Sequence, residues 1–147
     1  MLGSAGAHVP TRGGLRQCAA LRRRARLPPW ARRLGQGRTV LLADIEERTL
    51  KRAEQVLTVE GLTVVTHVVD VTSADSVREL ASAAREAGEA TQVMHPAGLS
   101  PAHASGEAIL AVDLLGVALV LEAFEPVIAP GGAGVALAST AATWRPP

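Results

Sequence analysis

The sequence has 147 residues, of which 48% are hydrophobic and 2% aromatic, and a formal net charge of +1. This length fits one domain, and the scarcity of aromatic residues predicts a core of Ala, Val, Leu and Ile, as in a parallel sheet covered by helices. Cys18 is the single cysteine, which excludes an internal disulfide, and no apolar stretch reaches the roughly 18 residues of a membrane span. We therefore expect a cytoplasmic protein that does not enter a membrane.

Charge is distributed unevenly along the chain. Residues 1–38 contain nine arginines and no acidic residue, whereas residues 39–147 contain all fourteen acidic residues and six basic ones. Residues 1–30 show no useful periodicity, and Pro28-Pro29 disfavours a helix across that point. We predict a basic, disordered arm over residues 1–30. Clustered arginines can neutralise phosphates, but the arm has no aromatic residue except Trp30, so nucleic-acid binding ranks below the other functions.

From Thr39 onward, strand patterns alternate with helix patterns. Short β-rich runs predict strands, and apolar residues at helical spacing predict the helices between them. In chain order we predict a strand at 39–43, a helix at 45–59, a strand at 62–69, and a helix at 74–87 capped by Thr72 or Ser73. A strand at 91–95 follows, then a long buried helix at 106–129 that Pro126 should bend or end, a glycine turn, and a strand at 134–139. This alternation implies βαβ units and a parallel α/β sheet with right-handed crossovers.

Asp44 ends the first of these strands and raises a question of function. In an open parallel sheet, ligands bind outside the carboxyl ends of the strands. An acid there can accept hydrogen bonds from both hydroxyls of an adenine ribose, and its charge would repel a 2′-phosphate. The alternative is that Asp44 only caps the helix that follows. The two roles are compatible.

Several segments in a fixed order resemble the short-chain dehydrogenase/reductase family. They are the acid that ends "TVLLAD", the pair Asp70-Val71, the loop "HPAGLS" at 95–100, and the long helix, glycine turn and strand of "EAILAVDLLGVALVLEAFEPVIAPGGAGVALAST". The resemblance covers residues 31–143 and leaves 144–147 as a tail. It implies a Rossmann-like doubly wound parallel sheet, incomplete at both ends, that binds NAD or NADP and interconverts alcohols and carbonyls.

The resemblance also implies roles for particular residues. Asp44 matches the ribose-binding acid, which implies NAD in preference to NADP, and Asp70 and Val71 match the pair that contacts adenine, although Asp70 could equally be a helix cap. Ala97 and Gly98 match the family's Asn-Asn-Ala-Gly, where small residues let the backbone approach the nicotinamide ribose. Ser139 matches the serine that hydrogen-bonds the reacting carbonyl. Asp113 stands where the family has an Asn, and a negative charge there, inside an apolar helix, is energetically costly unless it is paired. No metal is implied.

Two features of the family pattern are absent. The family uses a tyrosine followed four residues later by a lysine as its general acid/base, but the sequence has no tyrosine, and its only lysine is Lys51. A Gly-Ile-Gly that would hold the pyrophosphate is expected near residues 25–27 and does not occur. These departures favour a partial gene or a damaged reading frame.

Three functions follow from the sequence. The first is a protein descended from oxidoreductases of alcohols and carbonyls, in which the 147-residue chain itself does not transfer hydride. The second is a non-catalytic nucleotide-binding or sensor module, and the third is a nucleic-acid binder that uses the arginine-rich arm.

Overall fold

The computed structural model describes residues 15–20 and 29–138, and in them five parallel strands form one sheet. The strands are β1 (Leu15–Ala20), β2 (Thr39–Asp44), β3 (Thr63–Val68), β4 (Ala90–His95) and β5 (Ile128–Ala136). The helices are α1 (Pro29–Leu34), α2 (Glu47–Val59), α3 (Ala74–Ala87), α4 (Gly106–Ile109) and α5 (Gly116–Phe124), and a π-helical segment (Leu110–Leu115) joins α4 to α5.

The sheet has the strand order β3-β2-β1-β4-β5 and is covered by helices on both faces. Alternate residues of β2 point to opposite faces, so Leu41 packs with α3 and α5 while Leu42 packs with α1 and α2. Parallel strands in this order, with a core on each face, form the doubly wound α/β sheet that the sequence predicted.

The first strand corrects the prediction for the N-terminal region. Residues 15–20 form β1, which pairs with β2 on one side and β4 on the other, so the prediction that residues 1–30 lie outside the sheet was wrong for this stretch. The segment "LRQCAA" lacks the β-branched run on which strand prediction depends. A central strand is held by backbone hydrogen bonds to both neighbours, which nearly every residue type can make. Residues 1–14, 21–28 and 139–147 lie outside the described part.

The helices α2 and α3 confirm the helical spacing read from the sequence. All four apolar positions predicted for α3 are buried, namely Val77, Leu80, Ala81 and Ala84. In α2 the buried residues are Leu50, Ala53 and Leu57, but the helix begins at Glu47 rather than at residue 45, and Ile45 is 58% exposed. The start was misplaced because Asp44 and Glu46 form a turn before the first helical residue.

The predicted helix at 106–129 is shorter, interrupted and more exposed than expected. It consists of α4, the π-helical segment and α5, and it ends at Phe124. Val120 and Phe124 are buried against the sheet, whereas Leu110, Leu114 and Leu121 are 61%, 65% and 59% exposed. Apolar residues on every side of a helix predict burial on every side, but among the described residues only one side of this helix is covered.

The last strand also differs from its prediction. It runs from Ile128 to Ala136 and includes the glycines that were assigned to a turn. The pairing of β4 with β5 is irregular between Ala90 and Gln92, and Gly131 there has a φ of 79°. Glycine admits such a left-handed conformation at little cost, so the extra residues are accommodated as a bulge instead of ending the strand.

Candidate functional site

The carboxyl ends of the parallel strands lie at one edge of the sheet, and this edge carries the residues singled out in the sequence. Asp44 is the last residue of β2, Asp70 and Val71 follow β3, and Ala97 and Gly98 follow β4. A backbone hydrogen bond joins the end of β2 to the segment that follows β3: the N–H of Val69 donates to the carbonyl of Asp44 at 3.0 Å. The fold thus places all five predicted cofactor-binding residues on the edge where such sheets bind ligands.

Asp44 is nearly fully buried, at 3% exposure. Its Oδ1 accepts a hydrogen bond of 2.9 Å from the backbone N–H of Glu46, which turns the chain into α2. Glu46, not Asp44, is the residue that precedes the first turn of that helix, and its side chain makes no cap hydrogen bond. The interpretation of Asp44 as the N-cap was therefore wrong, although its carboxylate does shape the turn.

Asp70 organises the turn between β3 and α3. Its Oδ1 accepts from both the backbone N–H and the hydroxyl of Thr72, at 2.9 and 2.7 Å, and its own N–H donates to the hydroxyl of Ser76 at 3.0 Å. The N-cap of α3 is Ser73, whose hydroxyl accepts from the N–H of Ser76 at 3.3 Å. Ser73 was one of the two predicted caps, and the alternative that Asp70 is the cap was wrong.

Val71 is held in place by a glycine that the sequence analysis did not single out. A Cβ at Gly116 would lie 3.1 Å from Val71 Cγ2 and 3.3 Å from the Val71 carbonyl oxygen. The absence of a side chain at Gly116, the first residue of α5, therefore lets this helix pack against the Asp70-Val71 turn. The signal for such a residue is a lone glycine inside an otherwise apolar helix, which is unfavourable without a packing reason.

Asp113 ties the loop after β4 to the π-helical segment. Its Oδ1 accepts a hydrogen bond of 2.7 Å from the backbone N–H of Leu99. A Cβ at Gly98 would lie 3.3 Å from the same oxygen, so glycine there leaves room for the contact. Asp113 is exposed, which corrects the expectation of a buried anion: its charge remains in contact with solvent and its hydrogen bond fixes the loop.

His95 is the buried polar residue at the end of β4. It is 4% exposed, and neither ring nitrogen has a hydrogen-bond partner in the described part of the chain. Burial lowers the pKa of His95 below its usual value, and the negative charge of Asp113 offsets this effect in part. The imidazole is therefore neutral near pH 7. In the sequence His95 served only as the first residue of the matched loop.

Two of the predicted positions lie outside the described residues. Ser139, the predicted catalytic residue, and residues 25–27, where the pyrophosphate loop was expected, are both outside. Within 29–138 and β1, no three His, Cys, Asp or Glu side chains group so as to hold a metal ion. Over the same residues, no helix combines the length and apolar character that crossing a membrane requires.

Comparison with known proteins gives the family. A family model described as enoyl-(acyl carrier protein) reductase matches residues 31–145. The short-chain dehydrogenase/reductase bsc3 of Alternaria brassicicola is 38% identical over 111 residues, which cover 76% of this chain and 40% of that protein. The chain belongs to the short-chain dehydrogenase/reductase family and spans less than half the length of this relative.

Solved structures agree with this assignment. A short-chain dehydrogenase/reductase from Burkholderia phymatum, crystallised in complex with NAD, superposes with a TM-score of 0.73 at 23% identity, covering 93% of this chain and 54% of that one. An alcohol dehydrogenase from the archaeon Thermococcus sibiricus, complexed with 5-hydroxy-NADP, superposes with a TM-score of 0.62 at 27% identity, covering 76% of this chain and 53% of that one. The fold confirmed above is therefore the Rossmann-type fold of this family.

Proposed function

We propose that this protein is a nicotinamide-dinucleotide-dependent oxidoreductase of alcohols and carbonyls, and that the described edge of the sheet holds the adenosine half of the cofactor. The observation that carries the proposal is the buried carboxylate of Asp44 at the carboxyl end of β2. Asp44 lies at the edge where such sheets bind ligands, and a carboxylate can accept hydrogen bonds from both hydroxyls of a ribose. The dinucleotide would supply the hydride acceptor or donor.

The other residues along this edge fit the adenine and the nicotinamide ribose of the cofactor. The turn of Asp70 and Val71 is fixed by hydrogen bonds and by its contact with Gly116, so it can present a rigid surface to adenine. The loop of Ala97 and Gly98 is small and is held by Asp113 close to the strand ends, where a nicotinamide ribose would approach the backbone. Of the two similar structures described above, one was solved with NAD and the other with an NADP derivative. The proposed preference for NAD over NADP therefore rests on Asp44 alone.

The resemblance assigns the proton transfer to a tyrosine, which these 147 residues do not contain. Proton transfer to or from the substrate oxygen requires a general acid/base within hydrogen-bond reach, and the sequence has no tyrosine to serve as one. We therefore propose that this chain alone binds the dinucleotide without turning it over. This also makes a non-catalytic nucleotide-binding module the second candidate function.

Two substitutions of Asp44 test the cofactor assignment. Asp44→Asn keeps an oxygen that can accept from Glu46 but removes the charge, so NADP binding should strengthen relative to NAD. Asp44→Ala removes both, and NAD binding should weaken by about 1.5–3 kcal/mol, the usual worth of hydrogen bonds to a charged group. Calorimetric titrations of both nucleotides measure these effects.

The matched control is Asp75→Asn, which neutralises an exposed carboxylate in the first turn of α3 and should leave both affinities unchanged. A thermal melt of each variant detects a purely structural role for Asp44. If Asp44→Ala and Asp44→Asn lower only the melting temperature and the ratio of NAD to NADP affinity stays that of the unmodified chain, the proposed ribose contact is wrong.

A further inference from the structure

Asp113 carries a negative charge that its structural role does not require. Its Oδ1 accepts a hydrogen bond of 2.7 Å from the backbone N–H of Leu99, which fixes the loop after β4. A neutral side chain with an acceptor oxygen, such as that of asparagine or serine, can accept the same kind of bond. The other residues of the π-helical segment, Leu110–Leu115, are apolar, so this carboxylate is the one charged group of the segment. The charge therefore calls for an explanation beyond the bond to Leu99.

Among the described residues, no cation forms an ion pair with Asp113. The three ion pairs found there involve other carboxylates, those of Glu47, Glu60 and Asp75. Asp113 is exposed, so solvent weakens its electric field without cancelling it. The field still reaches the end of β4, because burial lowers the pKa of His95 and the charge of Asp113 opposes that shift. A cationic group that approaches this loop is therefore attracted to the carboxylate.

The loop after β4 leaves room beside this carboxylate. A Cβ at Gly98 would lie 3.3 Å from Asp113 Oδ1, which is tighter than side chains usually pack, and glycine lets another group approach the backbone closely. We rely here on the function proposed above, which brings the nicotinamide end of the dinucleotide to this loop. The nicotinamide ring is a cation in NAD⁺ and neutral in NADH, whereas the adenosine and diphosphate parts are the same in both. Asp113 thus lies beside the loop that would meet the one group in which the two forms differ.

We infer that Asp113 makes this site prefer the oxidised dinucleotide, because its carboxylate attracts the cationic ring of NAD⁺ and not the neutral ring of NADH. Two opposite charges that are both in contact with solvent attract each other weakly, by the equivalent of about 2- to 5-fold in affinity. A chain that binds the dinucleotide without turning it over would then respond to the proportion of the oxidised form. Such a response suits the nucleotide-binding or sensor module that is the second candidate function.

Three ligands separate the charge of the ring from the rest of the dinucleotide. NAD⁺, NADH and ADP-ribose are titrated calorimetrically into the full chain and into Asp113→Asn, which keeps an oxygen that can accept from Leu99 but removes the charge. ADP-ribose has no nicotinamide, so its affinity reports any change in the rest of the site. In Asp113→Asn we expect NAD⁺ to bind about 2- to 5-fold more weakly relative to both NADH and ADP-ribose. The difference between the two chains should shrink as KCl is raised, since salt screens exposed charges.

Glu122→Gln is the matched control, because it removes a negative charge from an exposed position of α5 and should leave the three affinities in their original ratio. Asp113→Ser, which also keeps an acceptor oxygen without charge, replaces Asp113→Asn if that variant does not fold. An unchanged ratio of NAD⁺ to NADH affinity, or an equal loss for all three ligands, would overturn the role of Asp113 and leave the dinucleotide site in place. Failure of the unmodified chain to bind any of the three would overturn the proposed function, and the preference for NAD⁺ with it.

Discussion

At the scale of single residues, backbone hydrogen bonds fix the candidate site. Asp44, Asp70 and Asp113 each accept from a main-chain N–H within 3 Å, and in each case the bond shapes a loop at the carboxyl edge of the sheet. Hydrogen bonds to a charged acceptor are stronger than neutral ones. The three carboxylates therefore order this edge before any ligand arrives, which lowers the entropic cost of binding one.

His95 should make stability depend on pH. Because burial lowers its pKa, the unfolded chain takes up a proton at this histidine at a higher pH than the folded chain does. Stability should therefore fall as the pH drops below about 6.5, the ordinary pKa of histidine, until the pH reaches the lowered pKa of the folded state. Urea denaturation between pH 7.5 and 5 measures this loss.

Replacement by a group that does not titrate isolates the contribution of His95. His95→Asn should make the fall in stability with falling pH shallower than in the unmodified chain. An identical slope in His95→Asn and the unmodified chain would show that His95 is protonated equally in both states.

At the scale of elements, two glycines determine how close neighbouring segments approach. Gly116 lets α5 pack on the turn that carries Val71, and Gly132 lets β5 pass Thr91 of β4. Neither glycine has a positive φ, so in both cases the requirement is space and not backbone conformation. Strand and helix propensities disfavour glycine at such positions, and packing overrides them.

Gly116→Val should destabilise the chain by about 1–3 kcal/mol, the range for overpacking in a close-packed core, because the new side chain would overlap Val71. It should also weaken dinucleotide binding, since the Val71 turn must move. Gly106→Val, at the start of α4, meets nothing within 4 Å and is the matched control. Urea denaturation and a dinucleotide titration compare the two; equal stabilities would refute the packing role.

Gly132→Ala should cost roughly 1–3 kcal/mol, because its Cβ would lie 2.9 Å from the carbonyl oxygen of Ala129 and 3.0 Å from that of Thr91. Backbone atoms cannot move aside as a flexible side chain can. Gly134→Ala in the same strand has only Ile128 Cδ1 at 4.0 Å and should be neutral or slightly stabilising. Denaturation midpoints that fall equally in both variants would contradict this expectation.

At the scale of the whole molecule, the chain has the sheet of a short-chain dehydrogenase/reductase but spans only 40% of the relative bsc3. Its described residues form two cores, one on each face of the sheet. The face formed by α5 and β5 remains partly exposed, with Leu121 at 59% and Val135 at 51%. The carboxyl edge of the sheet and the hydrophobic cores are thus both present within this length.

Hydride transfer by the 147-residue chain should be undetectable. Loss of a general acid/base alone costs on the order of 10²–10⁴ in rate, and the sequence contains no tyrosine to act as one. NADH absorbance at 340 nm, followed with a panel of aldehydes and ketones, measures turnover, with an active member of the family assayed in parallel. Steady NADH oxidation by the purified chain above the protein-free rate would contradict the prediction.

The sequence by itself determined the elements with strong periodicity and the residues at the strand ends. Alternating strand and helix patterns predicted β2 to β4, the buried face of α3 and the positions of Asp44, Asp70 and Gly98, because side-chain periodicity directly reflects which face is buried. Only the tertiary structure decided that residues 15–20 form the central strand, that β5 runs through its glycines, and that Asp113 bonds the loop at Leu99. These features depend on backbone pairing and on contacts between segments distant along the chain, which leave no periodic pattern within the segment itself.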